Sequence, residues 1–531
     1  MNPLRLVLSV AALWVLATAP VKAQGTLRLA MSLGDVPQTT GQPDQGAAGW
    51  RFMGVTLYDA LVHWDVSSAD KPSVLTPGLA TEWSRDARDL KKWQFKLRQG
   101  VVFHDGSAFN ADSVVWNLDK LLNKTAPQYD AKQIVQTVGK LSNVAAYRKV
   151  DDYTVEITTK EADSVFPYYL TIIWMSSPER WKSVGGSWEE FAKQPSGTGP
   201  WKLDKLRPRE RAEMVPNTAY WNPARKPKLE RLVLLPMPDA QARTNALLAG
   251  AVDFIELPAY DVIPSLKQRG FAIKANTYPH TWGWWPNRLP DSPLSDVRVR
   301  KAINLAVDRD GLVKLLGGYA APATGMVTEG SPWFGKPAFH IRRDVKEAQR
   351  LMADAGYGPN KHLPIKILTS TSGSGQMAPI AMNEVIQLNL RDIWVDMEIE
   401  AVEFQTLRTR RAVGALTPEN KGIAAVNHAW SWADPDFAFF GLFESTRVAP
   451  QGSNWGNLKD PVVDALSRDI RAASDSKQQE ALLRKLHEHL VDDAAWLFVA
   501  HDVAPTAMSS KVQGYVQAKS WIQDYSTIWM K

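Results

Sequence analysis

The sequence contains no cysteine. Its absence excludes a disulfide framework, a thiolate nucleophile and any metal site built on cysteine ligands. A lipid anchor on an N-terminal cysteine is excluded for the same reason. Histidine is also scarce, with nine residues in 531, and their spacing does not suggest a ligand cluster. We therefore expect neither a metal nor a cofactor.

The common motifs of hydrolytic and nucleotide-binding enzymes are missing as well. The chain has no GxSxG elbow and no HExxH segment, and His487 and His489 are too close in sequence to bind zinc from one helical face. The run GSPWFGK at residues 330–336 has the spacing of a phosphate loop, but Pro337 stands where a metal-binding Ser or Thr is needed. We predict no catalytic residues.

Long hydrophobic runs are absent beyond the N-terminus. The run LVLSVAALWVLATA after Arg5 is too short for a bilayer span of about 20 residues. Small residues at Val21 and Ala23 then stand where a signal peptidase reads. We predict a signal peptide at residues 1–23, cleaved after Ala23, and export without a lipid anchor, which favours the periplasm.

Charge of one sign is not concentrated. The chain has 62 Lys and Arg residues and 56 Asp and Glu residues, which gives a net charge of +6. The basic residues are spread along the chain. This pattern gives no basic patch, so we expect no nucleic-acid partner. At 531 residues and 45% hydrophobic, the chain can instead form two or three packed lobes.

One stretch raises the question of an active site directly. Residues 93–116, WQFKLRQGVVFHDGSAFNADSVVW, place His104 beside Asp105 between two apolar segments. Asn110 is a suitable helix N-cap, and Asp112 would lie in the first turn of that helix. Asp and Gly are typical turn residues, and adjacent side chains rarely converge on one point. The pattern predicts a structural turn.

Strand and helix patterns alternate along the chain, which indicates an α/β fold. Apolar runs at 27–31 and 364–370 predict strands, and the segment 228–257 reads as strand, loop, helix and strand. A helix is predicted over 377–391, followed by a strand over 396–402.

Seven segments, in this order, resemble the bacterial extracellular solute-binding proteins of family 5, the dipeptide, oligopeptide and nickel class. They are LYDALVHWD, KLRQGVVFHDGSAFNADSVVWNLDKLL, PSGTGPWKL, NTAYWNPARKPKLERLVLLPMPDAQARTNALLAGAVDF, LSDVRVRKAINLAVDRDGLVKLLGG, AQRLMADAGYG and WADPDFAFFGLF. The resemblance implies the two-lobe, type II periplasmic binding protein fold of the large class, with a hinge and an inserted subdomain. It places lobe I at 24–65, 197–275 and 498–531, the inserted subdomain at 66–196, and lobe II at 276–497.

The same resemblance implies a receptor, which we expect to be a monomer. It would capture a small peptide, an opine or a related amino-acid conjugate and deliver it to the permease subunits of an ABC importer in the inner membrane. A receptor of this fold for an oligosaccharide or a metal chelate is the alternative. A secreted hydrolase and an adaptor without a small ligand are the alternatives of other classes.

Tryptophan is abundant, with 22 residues. Large rigid side chains suit the wall of a binding site. Clusters occur at HTWGWWPN, which contains Trp282, Trp284 and Trp285, and at NHAWSWADPD, which contains Trp430 and Trp432. We expect about half of these five tryptophans to contact a ligand, because alternate strand residues face opposite sides. Together with the resemblance, these clusters give the predicted ligand-binding residues: Trp50, Arg51, Trp174, Trp284, Trp430, Trp432, Asp434 and Asn454.

One departure from the family limits the choice of solute. Peptide-binding relatives usually carry an Asp three residues before the Asp-Pro pair to hold the free amine of the peptide, and here that residue is Ser431. A buried ammonium without a counter-charge is costly. An ordinary dipeptide would have to use another acid, such as Asp434 or Glu444. Otherwise the solute is an opine, a modified peptide or a sugar held between aromatic rings.

Overall fold

The structure is a computed structural model that describes residues 25–137, 139–373 and 375–531. The predicted signal peptide and its cleavage after Ala23 lie outside these residues. No helix within the described ranges has both the length and the apolar character needed to cross a membrane.

The first large sheet has seven strands. In spatial order they are Ala272–Lys274, Thr506–Met508, Phe254–Glu256, Thr26–Met31, Arg231–Pro236, Arg211–Pro216 and Trp201–Arg207. The central strand Thr26–Met31 is parallel to both of its neighbours. Its apolar residues are buried, as expected for a parallel strand covered on both faces.

The second large sheet has six strands. In spatial order they are Ala320–Pro322, Leu497–Asp502, His280–Pro286, Ala425–Ser431, Leu363–Ser370 and Val395–Val402. All residues of His280–Pro286 are buried. The chain passes between the two large sheets after Lys274 and again after Asp502.

A separate antiparallel sheet lies within the segment between the early strands of the first sheet. Its strands are Ala80–Arg85, Lys92–Leu97, Thr154–Thr159 and Val144–Asp151. Burial alternates along Lys92–Leu97, because one face packs on the core and the other meets solvent. Two smaller ribbons pair Val62–Trp64 with Leu75–Pro77 and Val512–Gln513 with Trp529–Met530.

Helices cover these sheets. Those of six or more residues are Ala111–Leu122, Pro178–Ser183, Trp188–Lys193, Ala240–Leu248, Ile263–Gln268, Val297–Ala306, Arg309–Leu315, Val345–Asp354, Pro379–Arg391, Phe404–Val413, Pro461–Ala472 and Ser476–Asp492. Acidic or amide side chains begin many of them: Asn110, Asp239 and Asp344 each accept a hydrogen bond from the first turn.

The turn containing His104 and Asp105 is structural, and Asn110 caps the following helix, so both predictions are confirmed. The His104 ring bonds to the carbonyl of Gly199 at 3.0 Å, and burial lowers the pKa of His104 to about 4. The carboxylate of Asp105 accepts hydrogen bonds from Ser107 and Ser177 instead. The two side chains therefore bond to different parts of the chain, His104 to Gly199 and Asp105 to Ser107 and Ser177.

Candidate functional site

A cavity of about 150 Å³ lies where the lobes of the two large sheets meet. One side is formed by Gln45, Gly46, Ala47 and Trp50, and Val135, Gln136 and Lys140 also line the cavity. The other side is formed by residues of the strand Ala425–Ser431 and the helix Phe404–Val413. The volume lies below the roughly 300–1,000 Å³ typical of pockets for drug-sized ligands. It therefore suits a small solute.

Aromatic rings form one wall of this cavity. The ring centroids of Trp50 and Phe437 are 5.7 Å apart, and those of Phe437 and Trp430 are 6.0 Å apart. The Nε1 of Trp430 donates to the carbonyl of Phe437 at 3.0 Å, which fixes the two rings relative to each other. Trp521 also lines the cavity.

Two π-helical turns position this wall from opposite lobes. Trp50 begins the turn Trp50–Gly54, and Phe437 lies in the turn Asp436–Phe440. Single π-turns of this kind are rare and often occur at functional sites. A further contact, from Gln405 Nε2 to Gln45 Oε1 at 2.7 Å, joins the two sides of the cavity.

The helix beside the Trp430 ring adds positive charge to the cavity. Arg408 and Arg411 line the cavity from the helix Phe404–Val413. The Arg411 guanidinium lies 4.8 Å from the ring centre of Trp430 and 5.5 Å from that of Trp285. Burial, together with repulsion from Arg408, lowers the pKa of Arg411 to about 9.

The acidic groups near this wall are already engaged. Asp436 bonds to Lys140 at 2.5 Å, and Asp434 lies 3.9 Å from the same ammonium. Lys140 also sits 3.3 Å from the ring centre of Phe437. The Lys140 charge is therefore balanced by two buried carboxylates, one of which, Asp434, also accepts a hydrogen bond from the backbone of Phe437.

Two histidines complete the lining. Burial lowers the pKa of His280 to about 3 and that of His428 well below its ordinary value. Both rings are neutral at physiological pH and can accept or donate single hydrogen bonds. Within the described parts of the chain, no group of three or more His, Cys, Asp or Glu residues is placed to hold a metal ion.

Of the eight predicted ligand-binding residues, Trp50 and Trp430 line this cavity. Asp434 does not line the cavity, but its carboxylate lies 3.9 Å from the ammonium of Lys140, which does. Trp432 stands beyond the strand end, where its ring meets that of His501 at 6.2 Å.

The other four predicted residues are not among those that line the cavity. Arg51 is buried in an ion pair with Glu256, and Trp174 packs in the core of the first lobe. Trp284 is also buried and donates to Asn383 at 2.8 Å. Asn454 holds the backbone of a loop, donating to the carbonyls of Glu444 and Leu458.

Sequence reasoning missed the arginines and several apolar lining residues. Phe404, Arg408 and Arg411 recur at helical spacing, so a helix reading of FQTLRTRRAV would have placed them on one face. It could not have shown that this face turns inward, because arginine is usually exposed.

Neither acid suggested as a substitute for the missing Asp is free. Ser431 lines the cavity, as its position in the sequence implies. Glu444 is bonded to Arg471 through both carboxylate oxygens, and Asp434 faces Lys140.

Comparison with known proteins identifies the family. Residues 74–450 match the family described as bacterial extracellular solute-binding proteins, family 5 Middle. The chain belongs to this family. The family 5 assignment rests on more than half of the sequence and agrees with the order of motifs along the chain.

Similar family 5 relatives are binding proteins. The heme-binding protein A of Haemophilus influenzae is 26% identical over 486 residues, covering 87% of this chain and 84% of the relative. The dipeptide-binding protein of Escherichia coli is 25% identical over 477 residues, covering 87% and 86%.

Solved structures share the fold. A dipeptide-binding protein from Pseudoalteromonas in complex with Met-Leu has a TM-score of 0.83 at 22% identity, covering 96% of this chain and all of that one. A periplasmic binding protein from Helicobacter pylori in complex with the peptide STSA has a TM-score of 0.82 at 22% identity, covering 96% and 99%. The prediction of a two-lobe α/β periplasmic binding protein fold is confirmed.

Proposed function

We propose that this family 5 protein is the periplasmic receptor of an ABC importer and captures a small peptide or an amino-acid conjugate between its lobes. The observation that carries the proposal is the cavity of about 150 Å³, walled by Trp50 from one lobe and by Trp430 and Phe437 from the other. Aromatic walls and a few polar groups are typical of small-molecule sites.

Binding would proceed by closure of the lobes on the solute. The contacts between Trp50 and Phe437 and between Gln405 and Gln45 cross from one side of the cavity to the other. They form only when the lobes are together, so they would stabilise a closed state that presents both lobes to the permease. The process needs no covalent step.

The lobe boundaries belong to the proposal. Lobe I would comprise 24–65, 197–275 and 498–531. Residues 66–196 would form the inserted subdomain and 276–497 lobe II. We also propose cleavage after Ala23 and release into the periplasm, as expected for a receptor that meets its permease at the inner membrane.

The test is native mass spectrometry of the mature protein purified from a periplasm, before and after mild denaturation. We expect a bound small molecule whose loss accounts for the mass difference, and its identity would name the solute. If the protein is bare and a panel of peptides, amino-acid conjugates and sugars adds no mass, the receptor function is wrong.

A further inference from the structure

The cavity wall carries positive charge that nearby acidic groups do not fully balance. Arg411 is 9% exposed, and no hydrogen bond or ion pair to its guanidinium is found among residues 25–137, 139–373 and 375–531. Its Nε atom is buried without a partner. A buried charge without a partner is costly, and such groups persist mainly where function uses them.

Arg408 adds to this excess. Its guanidinium reaches Gln405 Oε1 at 3.4 Å, and within the described residues no carboxylate lies within ion-pair distance of it. Asp44 acts on Arg408 as an opposing charge, and its carboxylate accepts a hydrogen bond from the backbone of Gln38 at 2.8 Å. Asp44 therefore offsets part of the Arg408 charge.

The aromatic surroundings orient the Arg411 guanidinium. It packs against both Trp430 and Trp285, whose ring centroids are 5.3 Å apart, and a planar guanidinium held against aromatic faces keeps its N–H groups free to point along its edge. A guanidinium edge matches two oxygens of a carboxylate or phosphate group. The packing thus leaves a preformed fork at the cavity wall.

The described residues that line the cavity provide no acidic group to bind the free amine of a solute. Ser431 stands where relatives place an Asp, and Asp434 and Asp436 both face Lys140. Glu444 is bonded to Arg471. No carboxylate is among the described residues that line this cavity, so an ammonium entering it would meet Arg408, Arg411 and Lys140. The buried carboxylate of Asp502 is not part of the lining and lies 4.0 Å from His280.

We propose that Arg411 and Arg408 form an anion subsite, so that the solute of this receptor carries a carboxylate or phosphate group and lacks a free amine. The proposal rests on the receptor function and names the chemical class of its solute. N-blocked peptides, N-blocked amino acids and N-blocked phosphorylated amino acids fit this class.

The test uses matched probes and isothermal titration. One set consists of N-acetyl amino acids and N-acetyl dipeptides as free acids, and a second of the same molecules as carboxamides. Unblocked dipeptides, N-acetyl-O-phosphoserine amide and inorganic phosphate form the remaining arms. We expect at least one acid to bind and its carboxamide to bind about 30-fold more weakly or not at all. The N-acetyl-O-phosphoserine amide has a phosphate but neither a carboxylate nor a free amine, so this arm and the phosphate arm tell a phosphate solute from a carboxylate one.

Variants link the effect to the site. Arg411→Gln should weaken binding of the preferred acid by about 30-fold or more, and Arg411→Lys by less, because it keeps the charge but loses the fork. Arg410→Gln removes the same charge from the same helix, but Arg410 bonds Glu400 instead of facing the cavity. It should bind the probe as the wild type does.

A purely structural role for Arg411 makes a different prediction. If the arginine only held the tryptophans apart, Arg411→Gln would lower the melting temperature of the solute-free protein. As an unpartnered binding group, its loss should leave that temperature unchanged or raise it. Carboxamides binding as well as acids, or a neutral or amine-bearing solute released from the native protein, would overturn the anion subsite while leaving the receptor function intact. A wild type that binds no solute of any charge would overturn both.

Discussion

Lys140 and Asp436, 296 residues apart in sequence, form a buried ion pair of 2.5 Å beside the cavity. Both side chains are about 95% buried. The pair ties the segment after the helical turn Ala131–Ile134 to the π-turn that carries Phe437. It thereby joins two walls of the cavity.

Removing the lysine should be strongly destabilising. Lys140→Met leaves Asp436 and Asp434 buried together without their shared cation, which should lower the free energy of unfolding by about 3–5 kcal/mol. Urea unfolding followed by circular dichroism measures this. The double variant Lys140→Met, Asp436→Asn removes both charges and should recover most of the loss. A single variant as stable as the wild type would show that the pair contributes nothing.

Gly54 allows Trp174 to pack against the turn that carries Trp50. A Cβ atom added at Gly54 would lie 2.7 Å from Cζ2 of Trp174, and the indole is too deeply buried to move aside. Gly54→Ala should therefore cost about 1–3 kcal/mol of unfolding free energy and weaken solute binding by displacing Trp50. Thermal unfolding and titration with the identified solute measure the two effects.

Gly34→Ala is the matched control for this change. Gly34 is exposed, and a Cβ there would have no atom within 4 Å. It should leave stability and binding nearly unchanged. Equal effects of the two alanine variants would show that contact with Trp174 is not the reason Gly54 is glycine.

Much of the fold could be predicted from the sequence because its signals are local. Apolar runs predicted the strands at Thr26–Met31 and Leu363–Ser370, and Asn110 marked the start of the helix Ala111–Leu122. The turn at His104 followed from the same local chemistry.

The site was less accessible to this reasoning because it depends on which face of a sheet or helix turns inward. Trp284 pairs opposite Asn427, and Trp430 opposite Thr281, on neighbouring antiparallel strands. Trp430 reaches the cavity while Trp284 bonds Asn383 in the core. Periodicity separates such residues into two faces, but it does not say which face is the core.

Trp284→Phe tests that assignment. The change removes the donor to Asn383 Oδ1 and leaves that oxygen with one buried bond fewer, which should cost about 1–3 kcal/mol in unfolding free energy. Solute affinity should stay within about twofold of the wild type, since the site is elsewhere. Trp430→Phe is the matched variant and should lose affinity, because its indole donates to Phe437. Loss of affinity in Trp284→Phe at unchanged stability would place Trp284 in the binding site.

Asp502 predicts a distinctive dependence of stability on pH. It lies at the crossing between the large sheets, and neither carboxylate oxygen has a hydrogen-bond partner among the described residues. Burial raises the pKa of Asp502 to about 7. The Nδ1 atom of His280 lies 4.0 Å from Oδ2 of Asp502. The pKa of His280 is lowered to about 3, so its ring is neutral where Asp502 titrates.

The sign follows from proton binding. Between the ordinary Asp pKa near 4 and about 7, the folded protein holds the Asp502 proton and the unfolded chain does not, so this residue makes stability fall as pH rises through that window. Asp502→Asn keeps the shape without the ionisation and should remove this component. Urea unfolding at pH 5 and pH 8 should therefore show the variant gaining relative to the wild type at pH 8, by about 1–3 kcal/mol. A stability difference between variant and wild type that is the same at both pH values would mean that Asp502 titrates outside this range.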